Sequence, residues 1–345
     1  MKHIFFTVFS FVMCIAAQGQ AKIISRLELE ARLDYMQEYQ EGTKISGASG
    51  FKGRYLNFRV DGNITENFSF SYRQRLNKPI TNGSIFEATD WMTASYAIGS
   101  WTLSGGKQVV AIGGFEYDAA PIDLYFCSEF WNNIACYQFG ASGSWTSGSK
   151  KDNIMFQFCE SPFRRNPINI DNKEMFAYNL MWTGSHGCFS SLYSVNFIEY
   201  LPGRFINYIA LGNRFALGDF RLDLDLMNRA LNVKDFFGKD FSVMCELRWS
   251  PSSRLDIYAK MTQDTNLSDE SGDWCVAAGT SLTRFGGGLE FFPIKDSKSL
   301  RLHLNCCHTT GDAVPANVLR NRQTIIDAGL TWKMNMLSLN LKPRK

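Results

Sequence analysis

The stretch Asp219-Phe220-Arg221-Leu222-Asp223-Leu224-Asp225-Leu226 constrains this chain more than any other. Every even position in it is apolar and every odd one is charged. A strand turns successive side chains to opposite faces, so this segment has one apolar face and one fully ionic face. A sheet resting on a water-soluble core would present a mixed polar outer face instead. A transmembrane β-barrel needs this pattern, with lipid outside and water within.

The same period returns along the chain. Leu27, Leu29, Ala31, Leu33 and Tyr35 alternate with Glu28, Glu30, Arg32 and Asp34. Leu56, Phe58 and Val60 alternate with Asn57, Arg59 and Asp61, and Phe68, Phe70 and Tyr72 with Ser69, Ser71, Arg73 and Arg75. Val243 to Trp249, Leu255 to Met261, Leu300 to Cys306 and Ile326 to Trp332 repeat it. The charged faces weigh against the alternative, a large soluble β-sandwich.

Residues 1–20 read as a secretory signal peptide: Lys2 and His3 start it, Ile4 to Ala17 form the apolar stretch, and Ala17 and Gly19 precede the cleavage site. Beyond it no apolar run is long enough for a membrane helix. Residues 21–345 read as one domain, without linker or compositional break. Aromatics at 14% suit interfacial girdles, and a net charge of +3, dispersed along the chain, gives no footprint for nucleic acid. Nine cysteines, Cys14 among them in the leader, lack the spacing of a disulfide framework. His186, His303 and His308 lack ligand spacing, so neither metal nor cofactor is expected.

The alternation predicts about sixteen strands, an even number. They span 27–39, 49–61, 66–76, 89–98, 101–110, 134–142, 152–160, 174–183, 187–199, 204–212, 218–227, 240–250, 253–263, 274–292, 299–309 and 322–333. The connections alternate in length. Residues 98–101, 184–187 and 250–253 are tight-turn material, whereas 77–88, 161–173, 228–239, 264–273 and 310–321 are longer and polar. Short periplasmic turns and long external loops are expected, with both termini in the periplasm. The connection at 200–203 breaks the rule, because Leu201-Pro202-Gly203 is as tight as any turn. Residues 111–133 form a long, aromatic-rich, non-alternating segment. A loop so apolar is expected to fold into the lumen, where it would bring Glu116, Asp118, Asp123 and Glu129 to a constriction. An external cap or a contact between copies is the other placement.

Phe51-Lys52-Gly53-Arg54, Tyr72-Arg73-Gln74-Arg75-Leu76, Gly105-Gly106-Lys107-Gln108 and Gly113-Gly114-Phe115-Glu116-Tyr117 resemble the phosphate-selective porin O and P family, in its Bacteroidetes-type branch. The later strands match only in pattern. The resemblance implies a sixteen-stranded outer-membrane barrel of a Gram-negative cell, often a homotrimer, with a loop folded into the pore. Two departures stand out. The inward positives Arg32, Arg59, Arg73, Arg75, Arg221, Arg248, Arg254, Lys260 and Arg301 are nearly cancelled by Glu28, Glu30, Asp34, Asp61, Asp219, Asp223, Asp225, Glu246, Asp256 and Asp327. Phosphate selectivity is therefore not expected to carry over. The chain also continues past Trp332 to Lys345 rather than ending on an aromatic residue.

The expected function is passive diffusion of small hydrophilic solutes or ions through a water-filled channel held in outer-membrane lipid. Arg59, Arg73 and Arg75 are expected to form a basic wall facing the acidic loop, with Arg248, Arg254, Lys260 and Arg301 also lining the pore. Arg221, flanked by Asp219 and Asp223, reads as a structural pair. An outer-membrane enzyme would need a Ser, a His and an orienting acid at one lipid-level patch, which the three histidines do not suggest. A non-conducting barrel acting as a binding or scaffold component of an uptake complex is the remaining alternative.

Overall fold

The computed structural model describes residues 24–79, 84–164, 174–232, 238–268, 276–311 and 322–338. The expected signal peptide, the tail beyond 338 and parts of the long connections lie outside the described residues. The strands are β1 (Ile24–Gln40), β2 (Thr43–Lys44), β3 (Gly50–Asn63), β4 (Phe68–Arg75), β5 (Thr89–Ile98), β6 (Trp101–Val109), β7 (Tyr137–Thr146), β8 (Asp152–Glu160), β9 (Phe176–His186) and β10 (Phe189–Leu201). They continue as β11 (Arg204–Leu217), β12 (Phe220–Ala230), β13 (Asp240–Ser252), β14 (Leu255–Asn266), β15 (Thr280–Phe291), β16 (Leu300–Gly311) and β17 (Gln323–Asn335).

Apart from the two-residue β2, these strands form a closed antiparallel barrel of sixteen. Each pairs with its sequence neighbours, and β1 closes the ring by pairing with both β17 and β3. Closure satisfies the backbone groups that an open edge would leave bare, which a hydrocarbon environment does not tolerate. Hairpins such as those at Gly187 and Gly218 turn through a positive φ, which glycine adopts without a Cβ clash.

The outer face is apolar. Leu33, Met92, Leu103, Phe156, Leu180, Phe197, Leu247, Ile257, Leu289 and Leu304 are exposed there. Aromatics gather near the short turns: Trp101 sits opposite Trp145, Phe189 opposite Phe215, and Phe220 stacks on Trp249. Phe158, Phe176, Tyr178 and Phe205 cluster at the other rim. No described helix is long and apolar enough to cross a membrane.

The expected strands correspond to the observed ones with shifts at their ends. Two shifts matter. The span 134–142 slides to Tyr137–Thr146, which leaves Ile134 to Cys136 with the preceding segment. The span 274–292 shortens to Thr280–Phe291. His308, near the end of the expected span 299–309, lies within β16 and its ring Nδ1 is 2.8 Å from the Thr324 hydroxyl. The turn between β10 and β11 is as tight as its sequence suggests.

Candidate channel constriction

The segment between β6 and β7 contains two short helices, Phe115–Asp118 and Glu129–Asn133, joined by a turn at Pro121–Asp123. Its own polar groups and those of the barrel's strands meet along its length. The amide of Ala111 donates to Gln157 Oε1 (2.7 Å), Asn196 Nδ2 donates to the Ala111 carbonyl (2.8 Å), and the amide of Gly113 donates to Ser194 Oγ (2.8 Å). The amide of Glu116 donates to Asp225 Oδ2 (2.7 Å). That of Glu129 donates to Asp264 Oδ2 (2.8 Å), so carboxylates from β12 and β14 take the free N–H groups that begin both helices.

Glycines bring the segment close to the wall. A Cβ on Gly212 would stand 2.8 Å from the Cα of Gly114, and one on Gly113 would stand 2.5 Å from the Leu192 carbonyl oxygen. The paired glycines of the Gly113-Gly114-Phe115 motif thus permit backbone to lie on backbone. Val110, Ile112, Tyr117, Phe130 and Ile134 join Ile198, Ile206, Tyr208 and Met227 in one buried cluster. Each fully buried apolar side chain there contributes roughly 1.5–3 kcal/mol.

The acids of the segment are clamped by cations of the strands. Lys260 Nζ lies 2.8 Å from Glu116 Oε1 and donates to the Phe126 carbonyl (3.0 Å). Arg284 reaches Glu129 Oε1 at 2.8 Å and also donates to the Cys127 carbonyl. Arg301 and Lys333 hold Asp123 at 3.0 and 2.8 Å, and Arg32 donates to the Leu124 carbonyl at 2.5 Å. Burial alone would raise the Asp123 carboxyl, but the Arg301 and Lys333 charges, with hydrogen bonds from both, hold it below the usual carboxylate range. Burial pushes the Cys127 thiol up to about 12, so it stays protonated. Asp118 stays exposed.

These contacts run over β1, β8, β10, β12 and β14 to β17, and they leave the β3–β7 side of the wall facing open space. Two cavities lie there. One, of about 630 Å³, is lined by Glu30, Arg59, Arg73, Trp91, Ser95, Ser104, Asp118 and Asp123. The other, of about 510 Å³, is lined by Tyr55, Arg75, Lys78, Glu87, Asp90, Lys107 and Glu160. Pro121, Trp131, Cys136 and Tyr137 line both. The first cavity extends to residues near the short turns, such as Ser95 and Ser104, the second to residues near the long connections, such as Lys78 and Glu87, and the four shared residues form the waist between them.

Arg59 and Arg73 sit directly opposite on β3 and β4. Their charges are met on the wall itself rather than by the segment. Arg59 pairs with Asp61 (2.8 Å), Arg73 with Glu30 (3.2 Å) and Asp90 (3.6 Å), and Arg75 with Asp90 (3.2 Å). Arg59 and Arg73 also share the face of Trp91, at 5.3 and 5.0 Å from its centroid. Arg59 and Arg73 line the first cavity together with Asp118 and Asp123 of the segment, but the ion pairs of these arginines lie on the strand wall.

The remaining expected pore residues divide. Arg248 is bound into the inner face by Glu290 (2.5 Å) and Glu246 (3.1 Å), and Arg301 by Asp123 and Glu290. Arg254 is corrected: it lies exposed in the turn between β13 and β14, beyond the alternating stretch. Arg221 pairs with Asp223 and Glu246, both at 3.3 Å, in keeping with a structural role. Asp90, Arg284 and Tyr125 were not singled out by the sequence, although Arg284 and Glu290 alternate with Phe285, Leu289 and Phe291 across a glycine run.

Residues 26–186 match the family described as phosphate-selective porin O and P. No curated protein matches the chain. Among solved structures, the chain resembles OmpT, an outer membrane protein of Vibrio cholerae, with a TM-score of 0.59 at 10% identity over 89% of this chain and 96% of that one. The anion-selective porin from Comamonas acidovorans gives 0.59 at 11% over 89% and 98%. A trimer form of OmpT gives 0.59 at 11% over 89% and 99%.

Proposed function

We propose that this chain, which over residues 26–186 belongs to the phosphate-selective porin O and P family, conducts small hydrophilic solutes and ions through the waist between its β3–β7 wall and the segment 111–133. It is an outer-membrane porin, a channel for passive diffusion. The observation that carries the route is that two cavities of about 630 and 510 Å³ share Pro121, Trp131, Cys136 and Tyr137 in their linings. On this reading the segment occupies the lumen and narrows it, and a solute passes Arg75 and Asp90 before Arg73, Arg59 and Glu30.

The guanidinium groups on the path are already paired with Asp61, Asp90 and Glu30, so the passage offers dipoles and exchangeable hydrogen bonds rather than one sign of charge. Ions of both signs pass, and neutral polar solutes can replace the ordered water that apolar ones cannot. A trimer like that of the Vibrio cholerae protein suits the apolar outer face. Swelling of proteoliposomes in uncharged saccharides of graded size tests the reading. Uptake of monosaccharides with a steep fall for larger oligomers is expected; no swelling with any of them would refute it.

A further inference from the structure

Three side chains on neighbouring strands converge inside the barrel, away from the waist: Asp34 on β1, His303 on β16 and Asp327 on β17. Their ligand atoms all lie within 4.8 Å of one another, and all three residues are buried. His303 Nε2 stands 3.3 Å from Asp34 Oδ1 and 3.3 Å from Asp327 Oδ1. Neither contact has hydrogen-bond geometry: both ring nitrogens of His303 and Oδ1 of Asp327 are without hydrogen-bond partners, although His303 is only 4% exposed. No motif marks this cluster, because its members are separated along the chain and joined only by strand pairing.

We propose that Asp34, His303 and Asp327 bind one divalent transition cation of the zinc type. An imidazolium bridging two carboxylates would aim an N–H at one of them. Here the nitrogen stands equally far from both, and 3.3 Å is the edge of a tetrahedron around an ion with bonds of roughly 2.0–2.1 Å. Both carboxylates are already held by neighbours, and Arg32 NH2 stands 4.0 Å from Asp327 Oδ1. Arg32 holds Asp34, with NH2 at 2.8 Å from Oδ2 and Nε at 3.0 Å from Oδ1, and Arg54 stands 3.6 Å from Oδ2. Asn305 Nδ2 donates to Asp327 Oδ2 at 3.1 Å. Such support fixes the direction in which a carboxylate presents its free lone pairs. One imidazole and two carboxylates suit zinc or cobalt, whereas calcium would call for six to eight oxygens. Tyr125 of the segment lies on the His303 ring, with centroids 4.6 Å apart, so the ion would stiffen the wall against which that residue rests.

The test uses the mature, untagged barrel refolded in detergent, stripped with chelator and dialysed against Zn²⁺ alone. One tightly held equivalent is expected, with His303→Ala and Asp327→Asn weakening it by more than about a hundredfold. Heat-shifted migration on a gel confirms that each variant is folded. Co²⁺ in the unaltered protein supplies a second readout, expected to show tetrahedral d–d absorption without a thiolate charge-transfer band. Absence of bound Zn²⁺, retention of the equivalent in either folded variant, or a thiolate-type Co²⁺ spectrum would each overturn the assignment.

Discussion

Arg59 and Arg73 face each other across the β3–β4 pair, a like-charge juxtaposition that is normally destabilising. Glu30, Asp61, Asp90 and the face of Trp91 make it tolerable, so the charge of the waist depends on which partner is removed. A unit charge about 10 Å from a passing ion acts with roughly 1–2 kcal/mol at an effective dielectric near 20, less after screening. Arg73→Glu with Arg75→Glu is therefore expected to move the reversal potential a few-fold toward cations, and Asp90→Asn to move it toward anions. Unchanged potentials would take these residues off the path. The arginines were legible from the alternation. Asp90 was not, because the register shifts between Arg73 and Gln74 and turns it inward against the parity of its strand. Asp123 makes a pH prediction. Its folded value lies below the unfolded one, so its tether is complete above the ordinary carboxylate range, near about pH 4, and is lost as pH falls through the lowered value. Channel noise is expected to stay constant from neutral pH to about pH 4 and to rise below it; Asp123→Asn should show that noise at pH 7.

At the scale of the element, the segment 111–133 is held by buried charge pairs, and the loss of one partner leaves the other costly to bury. Breaking a buried pair costs about 3–5 kcal/mol. Arg284→Met removes the guanidinium from Glu129 and is expected to loosen the second helix and raise open-channel noise, whereas Arg254→Met, in an exposed turn, should leave the current as it was. Deleting 115–130 should raise conductance; an unchanged value would put the segment outside the conducting path. The aromatic, non-alternating composition marked this stretch as one that would not simply stand in solvent. Its clamps could not be read, because Lys260, Arg284 and Asp264 reach it from strands far along the chain. The role of Gly212 was equally hidden: only the approach of Gly114 shows why a side chain is excluded there.

At the scale of the molecule, the strand order and the alternation of turn lengths were legible because lipid on one side and water on the other impose a period of two on every crossing. Ends were less legible where apolar inward positions blur that period, as at the start of β7. A closed barrel of sixteen strands resists detergent until heated, so the folded band should migrate differently before and after boiling; identical migration in refolded protein would count against closure. The most direct test of the central claim is the current through the refolded mature protein in a planar bilayer under a potassium chloride gradient. Discrete open-channel steps with a small reversal potential are expected from a waist whose charges are paired on its own wall. A silent bilayer, with β-structure and heat-shifted migration confirmed, would contradict the channel.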